Sequence, residues 1–376
     1  MRSRFGSWIA LGLAVAAATA ALLMHAPILT RSMWIARLAL RETSLLTSAA
    51  AAAAWGLGAG GRDRRARLTR ALAAAAAVAG LVPFVAQWVA LKRLGAPFSA
   101  LEYVRGPVLA PLPIERDIVL ERRSAPLRGD LYRAAGRGPH PFLLTVHGGS
   151  WRGGQRGQGG HISRALAAAG YTVIDVEYGL APAHPFPEGI GDVKCLLGRV
   201  RERAAELDID PGRAVLLGRS AGGQIVLVAA YSAGDARIPP TCAVPDAPVQ
   251  GVVAFYAPMQ LVYGHANPMR PDVLQGTQSL ELYLGGPPSQ RLQAYRLANP
   301  TAWIDHPVPP TLLLHGGSDP SVEPLHSILL DAELRAARQQ VQLVVVPFGE
   351  HGFDMRPGSV AEQLTRWTIL EFLKRI

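Results

Sequence analysis

Three stretches of this 376-residue chain carry no Asp, Glu, Lys or Arg and are long enough to form helices without a polar face: 5–30, 43–61 and 71–91, of 26, 19 and 21 residues. A helix that is apolar all round has no surface to offer water, and about 20 such residues match the ~30 Å hydrocarbon core of a bilayer. Residues 1–95 are therefore read as a membrane region with about three transmembrane helices. Trp8 and Trp88 lie near the ends of the first and third stretches, where amphipathic rings favour the interface. The middle stretch is the weakest, because Ala and Gly contribute little transfer energy. Arg2 and Arg4 ahead of the first apolar core also suit a cleavable signal peptide, but the apolar segments that follow favour a retained anchor.

Charge separates this region from the rest. The formal net charge is +10, and residues 1–95 hold 12 basic and 2 acidic side chains against 26 and 26 beyond them. The larger part has no electrostatic footprint for phosphate backbones, which argues against nucleic acid as its partner. Orientation follows from segment 61–70, GRDRRARLTR, with five Arg and one Asp. Positive-inside places it in the cytoplasm. The third stretch then carries everything after Lys92 across the cytoplasmic membrane to the outer side, against the weaker pull of Lys92 and Arg93.

After a linker, 96–113, the texture changes to short apolar runs separated by helical patterns. IERDIVLE and LRGDLYRA alternate like an antiparallel hairpin. PFLLTV at 141–146 reads as a buried strand, followed by a helix at 162–169, the strand YTVIDVEY, a long helix at 190–207, the strand RAVLLG, a helix at 222–231 and the strand GVVAFYA. The order resumes with TLLLHG, a helix at 324–337, VQLVVVPF and a last helix from Val360. Such alternation predicts an α/β domain over 114–376, a mostly parallel central sheet flanked by helices on both faces. Segment 259–300 interrupts it where a small cap would sit. On such sheets ligands bind beyond the carboxyl ends of the strands.

The residues at those ends carry the chemistry. RAVLLG runs into Gly218-Arg219-Ser220-Ala221-Gly222-Gly223, a G-x-S-x-G sequence between strand and helix, where glycines permit the tight turn that exposes a serine hydroxyl. A serine is a poor nucleophile until a base takes its proton, and the base needs an acid to orient it. Asp319 follows the strand TLLLHG and His351 follows VQLVVVPF, so Ser220, Asp319 and His351 stand in the order nucleophile, acid, base. Glu350 is the rival acid, disfavoured because adjacent side chains seldom face each other. After PFLLTV come His147-Gly148-Gly149-Ser150-Trp151. The N–H groups of Gly149 and Ser150, with that of Ala221, are the candidate oxyanion donors. His147 is read as holding the loop, Trp151 as lining the substrate pocket, and the remaining histidines as structural. Cys195 and Cys242 allow at most one disulfide and cannot build a cysteine-rich metal site; free thiols are the plainer reading.

HGGSW, GRSAGG, SDP and EHGF, with Tyr178-Gly179-Leu180-Ala181-Pro182 and Pro185-Phe186-Pro187, resemble the α/β-hydrolase esterases of the bacterial hormone-sensitive-lipase type and the related feruloyl-esterase-like group. The resemblance covers about 114 to the C-terminus. It implies a serine carboxylesterase without a cofactor, acting on a small-molecule or lipid ester; the minimal size of the domain and a cap of only some forty residues predict a short to medium acyl chain. An acyltransferase or thioesterase would use the same triad, and a non-catalytic binding protein the same scaffold. Three positions depart from the pattern: HGGS replaces the usual HGGG, Arg219 stands where an acidic residue is common, and Gln224 replaces a frequent Asn. Protease added to intact spheroplasts is expected to digest the domain beyond residue 113; complete protection until lysis would place it in the cytoplasm.

Overall fold

The computed structural model describes residues 2–108, 113–122 and 126–376. They form two compact units: Met1–Pro107 with Gly316–Ser318 and Val346–Leu364, and Val108–His315 with Asp319–Val345 and Thr365–Ile376.

The first unit contains α1 (Arg2–His25), α2 (Arg31–Glu42), α3 (Ser44–Gly58), α4 (Arg64–Arg93) and α5 (Ala100–Arg105). Helices α2 and α4 start where the sequence supplies a capping oxygen. Thr30 Oγ1 accepts from the Met33 N–H at 3.2 Å, and Asp63 Oδ1 from that of Ala66 at 2.9 Å. Small residues line the seams between α1, α3 and α4: Ala14, Ala54 and Ala73 in one cluster, Ala17, Ala21, Ala51 and Ala76 in another. At Gly80 an added Cβ would lie 2.5 Å from Ser48 Oγ, and that hydroxyl donates to the Ala77 carbonyl at 2.9 Å. Close backbone approach with interhelical hydrogen bonds is how helices associate in lipid. The bulky apolar side chains Leu22, Leu57, Val78 and Val85 face outward instead.

Gly6–His25 and Arg64–Arg93 are each long and apolar enough to cross a bilayer. With 15 residues, α3 rises only about 22 Å, so the middle stretch is shorter than a ~30 Å core requires. Part of the expected linker is helical: α5 lies within 96–113, capped by Ser99 Oγ on the Glu102 N–H at 3.1 Å. Residues 109–112 lie outside the described residues.

The second unit is built on one sheet of eight strands among the described residues: β1 (Ile114–Glu121), β2 (Leu127–Tyr132), β3 (His140–Val146), β4 (Thr172–Val176), β5 (Ile209–Arg219), β6 (Gly251–Phe255), β7 (Thr311–Gly316) and β8 (Val341–Val346). Their spatial order is β1-β2-β4-β3-β5-β6-β7-β8. The first hairpin is antiparallel and joins β4 antiparallel; pairing from β4 through β3, β5 and β6 to β7 is parallel. Crossovers run through α6 (Gly160–Ala168), α7 (Glu188–Glu202) with the short α8 (Ala204–Leu207), and α9 (Ala221–Tyr231), buried along its whole length. The 259–300 insertion holds α10 (Leu261–Ala266), α11 (Gly276–Leu284) and α12 (Pro288–Leu297). After it, α13 (Leu325–Ala336) precedes β8 and α14 (Val360–Leu373) follows it. Where one helix was expected over 190–207, α7 stops at Glu202 and α8 ends on Asp208 in the left-handed region (φ 54°).

The cysteine reading is corrected. Cys195 of α7 and Cys242 are joined in a disulfide with Cα atoms 5.4 Å apart. Their separation of 47 residues hides this proximity, which arises because the loop after α9 folds back: the Thr241 N–H bonds the Gly191 carbonyl at 3.1 Å. Cys195→Ser should lower stability by about 2–4 kcal/mol, read from denaturant unfolding of the detergent-solubilised chain; an unchanged midpoint would mean the bridge does not form.

Candidate active site

Strands β3 and β5 are parallel neighbours, so the turns that follow them leave the sheet at the same end. Ser220 ends one of them with φ 53° and ψ −122°, a backbone conformation that costs a non-glycine residue about 1–3 kcal/mol. It is held by its N–H, which donates to the Phe255 carbonyl at 2.9 Å, and by its carbonyl, which accepts from the Gln224 N–H at 3.1 Å. Two residues on, a Cβ at Gly222 would lie 2.4 Å from the carbonyl oxygens of both Val146 and His147. Only glycine fits there. The N–H of Ala221 belongs to the first turn of α9, which offers no intrahelical acceptor.

The turn after β3 is unusual in its backbone. Gly149 (φ 128°), Ser150 (φ 54°) and Trp151 (φ 59°) lie consecutively at positive φ. The Gly149 carbonyl accepts from the N–H groups of Arg152 and Gly153, and the Trp151 carbonyl from that of Ala181. Buried His147 bonds the Gly148 carbonyl through Nδ1 at 2.8 Å and stacks on Tyr178. Burial lowers its pKa. This is the loop-holding role the sequence suggested.

Ser150, Trp151, Ser220 and Ala221 line one cleft open to solvent. Its opposite side comes from the 259–300 insertion, through Leu261, Met269 and Leu280 among others. A stacked pair anchors that insertion: Trp151 and Tyr283 lie 4.7 Å apart with rings 5° from parallel. Gln224 ties both down. Its Oε1 accepts from Trp151 Nε1 at 2.9 Å and Tyr283 Oη at 3.3 Å, while its Nε2 donates to the Ala298 carbonyl at 2.7 Å. Arg219 places its guanidinium 4.7 Å from the centre of the Phe255 ring and donates to the Gln158 carbonyl at 3.4 Å.

Asp319 is buried at the end of β7, where Oδ1 accepts from the N–H groups of Ser321 and Val322 at 2.9 Å each; both of those residues line the cleft. His315 Nε2 stands 3.6 Å from the other carboxylate oxygen. Sequence reasoning missed His326, which also lines the cleft. Its Nδ1 accepts from the N–H groups of Met259 and Gln260 at 3.1 and 2.9 Å, which leaves the ring proton on Nε2. Burial pushes its pKa down to about 4, so it is neutral at pH 7. No local motif signals this, since its partners lie 66 and 67 residues away. His351 belongs to the first unit, on Val346–Leu364. Its neighbour Glu350 is fully buried there and ion-paired with Arg37 and Arg41.

A match to the BD-FAE family model spans residues 130–334, more than half of the chain. The chain belongs to the BD-FAE family. Among curated relatives, it is 29% identical over 244 residues to the probable carboxylic ester hydrolase LipM of Mycobacterium tuberculosis, covering 64% of this chain and 55% of LipM. It is 28% identical over 236 residues to the esterase LipQ of the same organism, covering 62% and 55%. The chain thus spans about half the length of these relatives. In structure it is similar to the propionate-bound thermophilic esterase Est2 of Thermogutta terrifontis, with a TM-score of 0.58 and 22% identity over 72% of this chain and 96% of that one. The fold is that of the α/β-hydrolases.

Gln224→Leu removes the partner of three buried polar groups, each costing about 1–3 kcal/mol when left unpaired. The variant is expected to unfold at clearly lower denaturant concentration; an unchanged midpoint would show that the insertion does not depend on this amide.

Proposed function

We propose that this BD-FAE protein is a membrane-anchored serine esterase that cleaves carboxylic esters of short to medium acyl chain through an acyl-enzyme. The observation that carries the reading is the placement of Ser220, held at positive φ in the wall of a cleft shared with the Gly149–Trp151 turn. Ser220 Oγ attacks the ester carbonyl while His351 takes its proton. Asp319, already fixed by two backbone N–H groups, orients the imidazole and stabilises its charged form. The N–H groups of Gly149, Ser150 and Ala221 hold the oxyanion, each contributing roughly 10²- to 10³-fold in rate. His351 returns the proton to the leaving alcohol and then activates the water that releases the acid. No step needs a cofactor.

Asp319 is preferred to Glu350 as the acid because Glu350 is engaged by two arginines. The propionate held by the Thermogutta esterase supports a short acyl group. Two apolar helices of spanning length support the anchor. The arginine-rich segment 61–70 and the disulfide, a bond rare in reducing cytosol, both favour an extracytoplasmic active site.

In the detergent-solubilised full chain, wild type should hydrolyse p-nitrophenyl esters with an optimum well below sixteen carbons and react with a fluorophosphonate at Ser220. Ser220→Ala and His351→Ala should each remove nearly all turnover. Wild-type hydrolysis by Ser220→Ala would overturn the mechanism, and an optimum at sixteen carbons or longer would overturn the substrate class.

A further inference from the structure

The segment that bears His351 is embedded in the N-terminal helical unit. Arg37 and Arg41 stand four residues apart on α2 and so share one face. Both reach Glu350 Oε1, Arg37 through Nε and Arg41 at 3.0 Å. Each is also pinned to the end of α1 or the turn after it: Arg37 donates to the Ala26 carbonyl at 3.0 Å, Arg41 to that of Met24 at 2.9 Å. Arg41 further lies over the Phe348 ring, 5.8 Å from its centre, and His25 meets the same ring edge-on. Downstream, Arg356 donates to the Glu42 and Tyr103 carbonyls at 3.2 and 2.7 Å. Gln363 exchanges hydrogen bonds with both backbone groups of Ser99. The turn itself is tight: Gly349 and Phe353 donate to the carbonyls of Val346 and Glu350.

We propose that Arg37 and Arg41 are positioning residues for the catalytic base: through Glu350 they fix the turn that presents His351, so the N-terminal helices are a working part of the esterase as well as its anchor. The inference rests on the reading of His351 as the base. Its physical basis is the burial of Glu350. A carboxylate with no exposed side-chain surface is tolerated only while paired. Without the arginines it is relieved by moving toward water, and the next residue in the chain is His351. A displacement of about 1 Å at a reacting group costs on the order of 10²-fold in rate.

The test uses the full chain in detergent, below the measured unfolding temperature of every variant. Arg37→Met with Arg41→Met should lower kcat about tenfold or more with KM within about twofold, and slow fluorophosphonate labelling of Ser220 in parallel. Adding Glu350→Gln to that pair removes the charge that the arginines balanced and should recover part of the lost kcat, an effect a general loss of stability would not give. If the Met pair does not fold, Arg37→Lys with Arg41→Lys keeps the charge without the planar fork and should give an intermediate kcat. Wild-type kcat in the folded Met pair, wild-type kcat in the Lys pair where the Met pair does not fold, a loss confined to KM, or no recovery on adding Glu350→Gln would each overturn the proposal. His351→Ala separates the two readings: if it abolishes turnover while the arginine variants keep theirs, only the positioning role fails; if it retains turnover, the assignment of the base fails.

Discussion

The close backbone approach between the start of α9 and the end of β3 sets the geometry on which the candidate site depends. Gly222 sits so near the Val146 and His147 carbonyls that no side chain fits between them. That contact is available only because β3 and β5 are adjacent and parallel, which brings both following turns to one end of the sheet. The strained conformation of Ser220 and the three positive-φ residues from Gly149 to Trp151 are then held by hydrogen bonds to neighbouring strands and loops. A relaxed backbone in either turn would pull the hydroxyl and the glycine-loop amides away from their shared wall.

A single amide extends this order to the insertion. Gln224 lies one turn into α9, and it fastens Trp151 from one turn and Tyr283 from α11. Its extra methylene relative to Asn is consistent with this bridging role, which gives the departure from the family pattern a structural use. Arg219 is handled differently. It is buried against the Phe255 face, where an aromatic ring helps to accommodate a cation.

The parts of the fold legible in the sequence are those decided by local pattern. Buried strands such as LLTV and VLLG read as continuous apolar runs, and the G-x-S-x-G turn carries its own geometry in its glycines. The family and the hydrolase fold were readable because the motifs fall at the ends of those strands. What escaped depends on distant contacts. The disulfide requires a loop to return to α7 across 47 residues. His326 is held at the cleft wall by two backbone amides of the insertion. Glu350 finds Arg37 at a separation of 313 residues. Segment 96–113 was read as a linker because α5 is a single short helix, stabilised by its cap and by partners near the C-terminus rather than by any periodicity of its own.

That last group of contacts bears on how the N-terminal helices relate to segment Val346–Leu364. A tether needs only apolar length and imposes no particular partner on what it carries. The N-terminal unit contains much more: Glu350 with two arginines, Arg356 against α2 and α5, and Glu42 at the end of α2, whose carboxyl burial pushes up to about 8 while Ser359 and Arg356 oppose the shift. Buried polar groups of this kind are costly unless every partner is in place, so they favour one arrangement over all others more sharply than apolar packing does. A set of such groups between α1, α2 and α5 on one side and Val346–Leu364 on the other therefore specifies a defined seat for that segment. The alanine seams of α1, α3 and α4 instead hold these helices to one another through close backbone approach. Two different kinds of packing thus meet in the first unit: apolar seams among the helices, and buried polar pairs between them and Val346–Leu364.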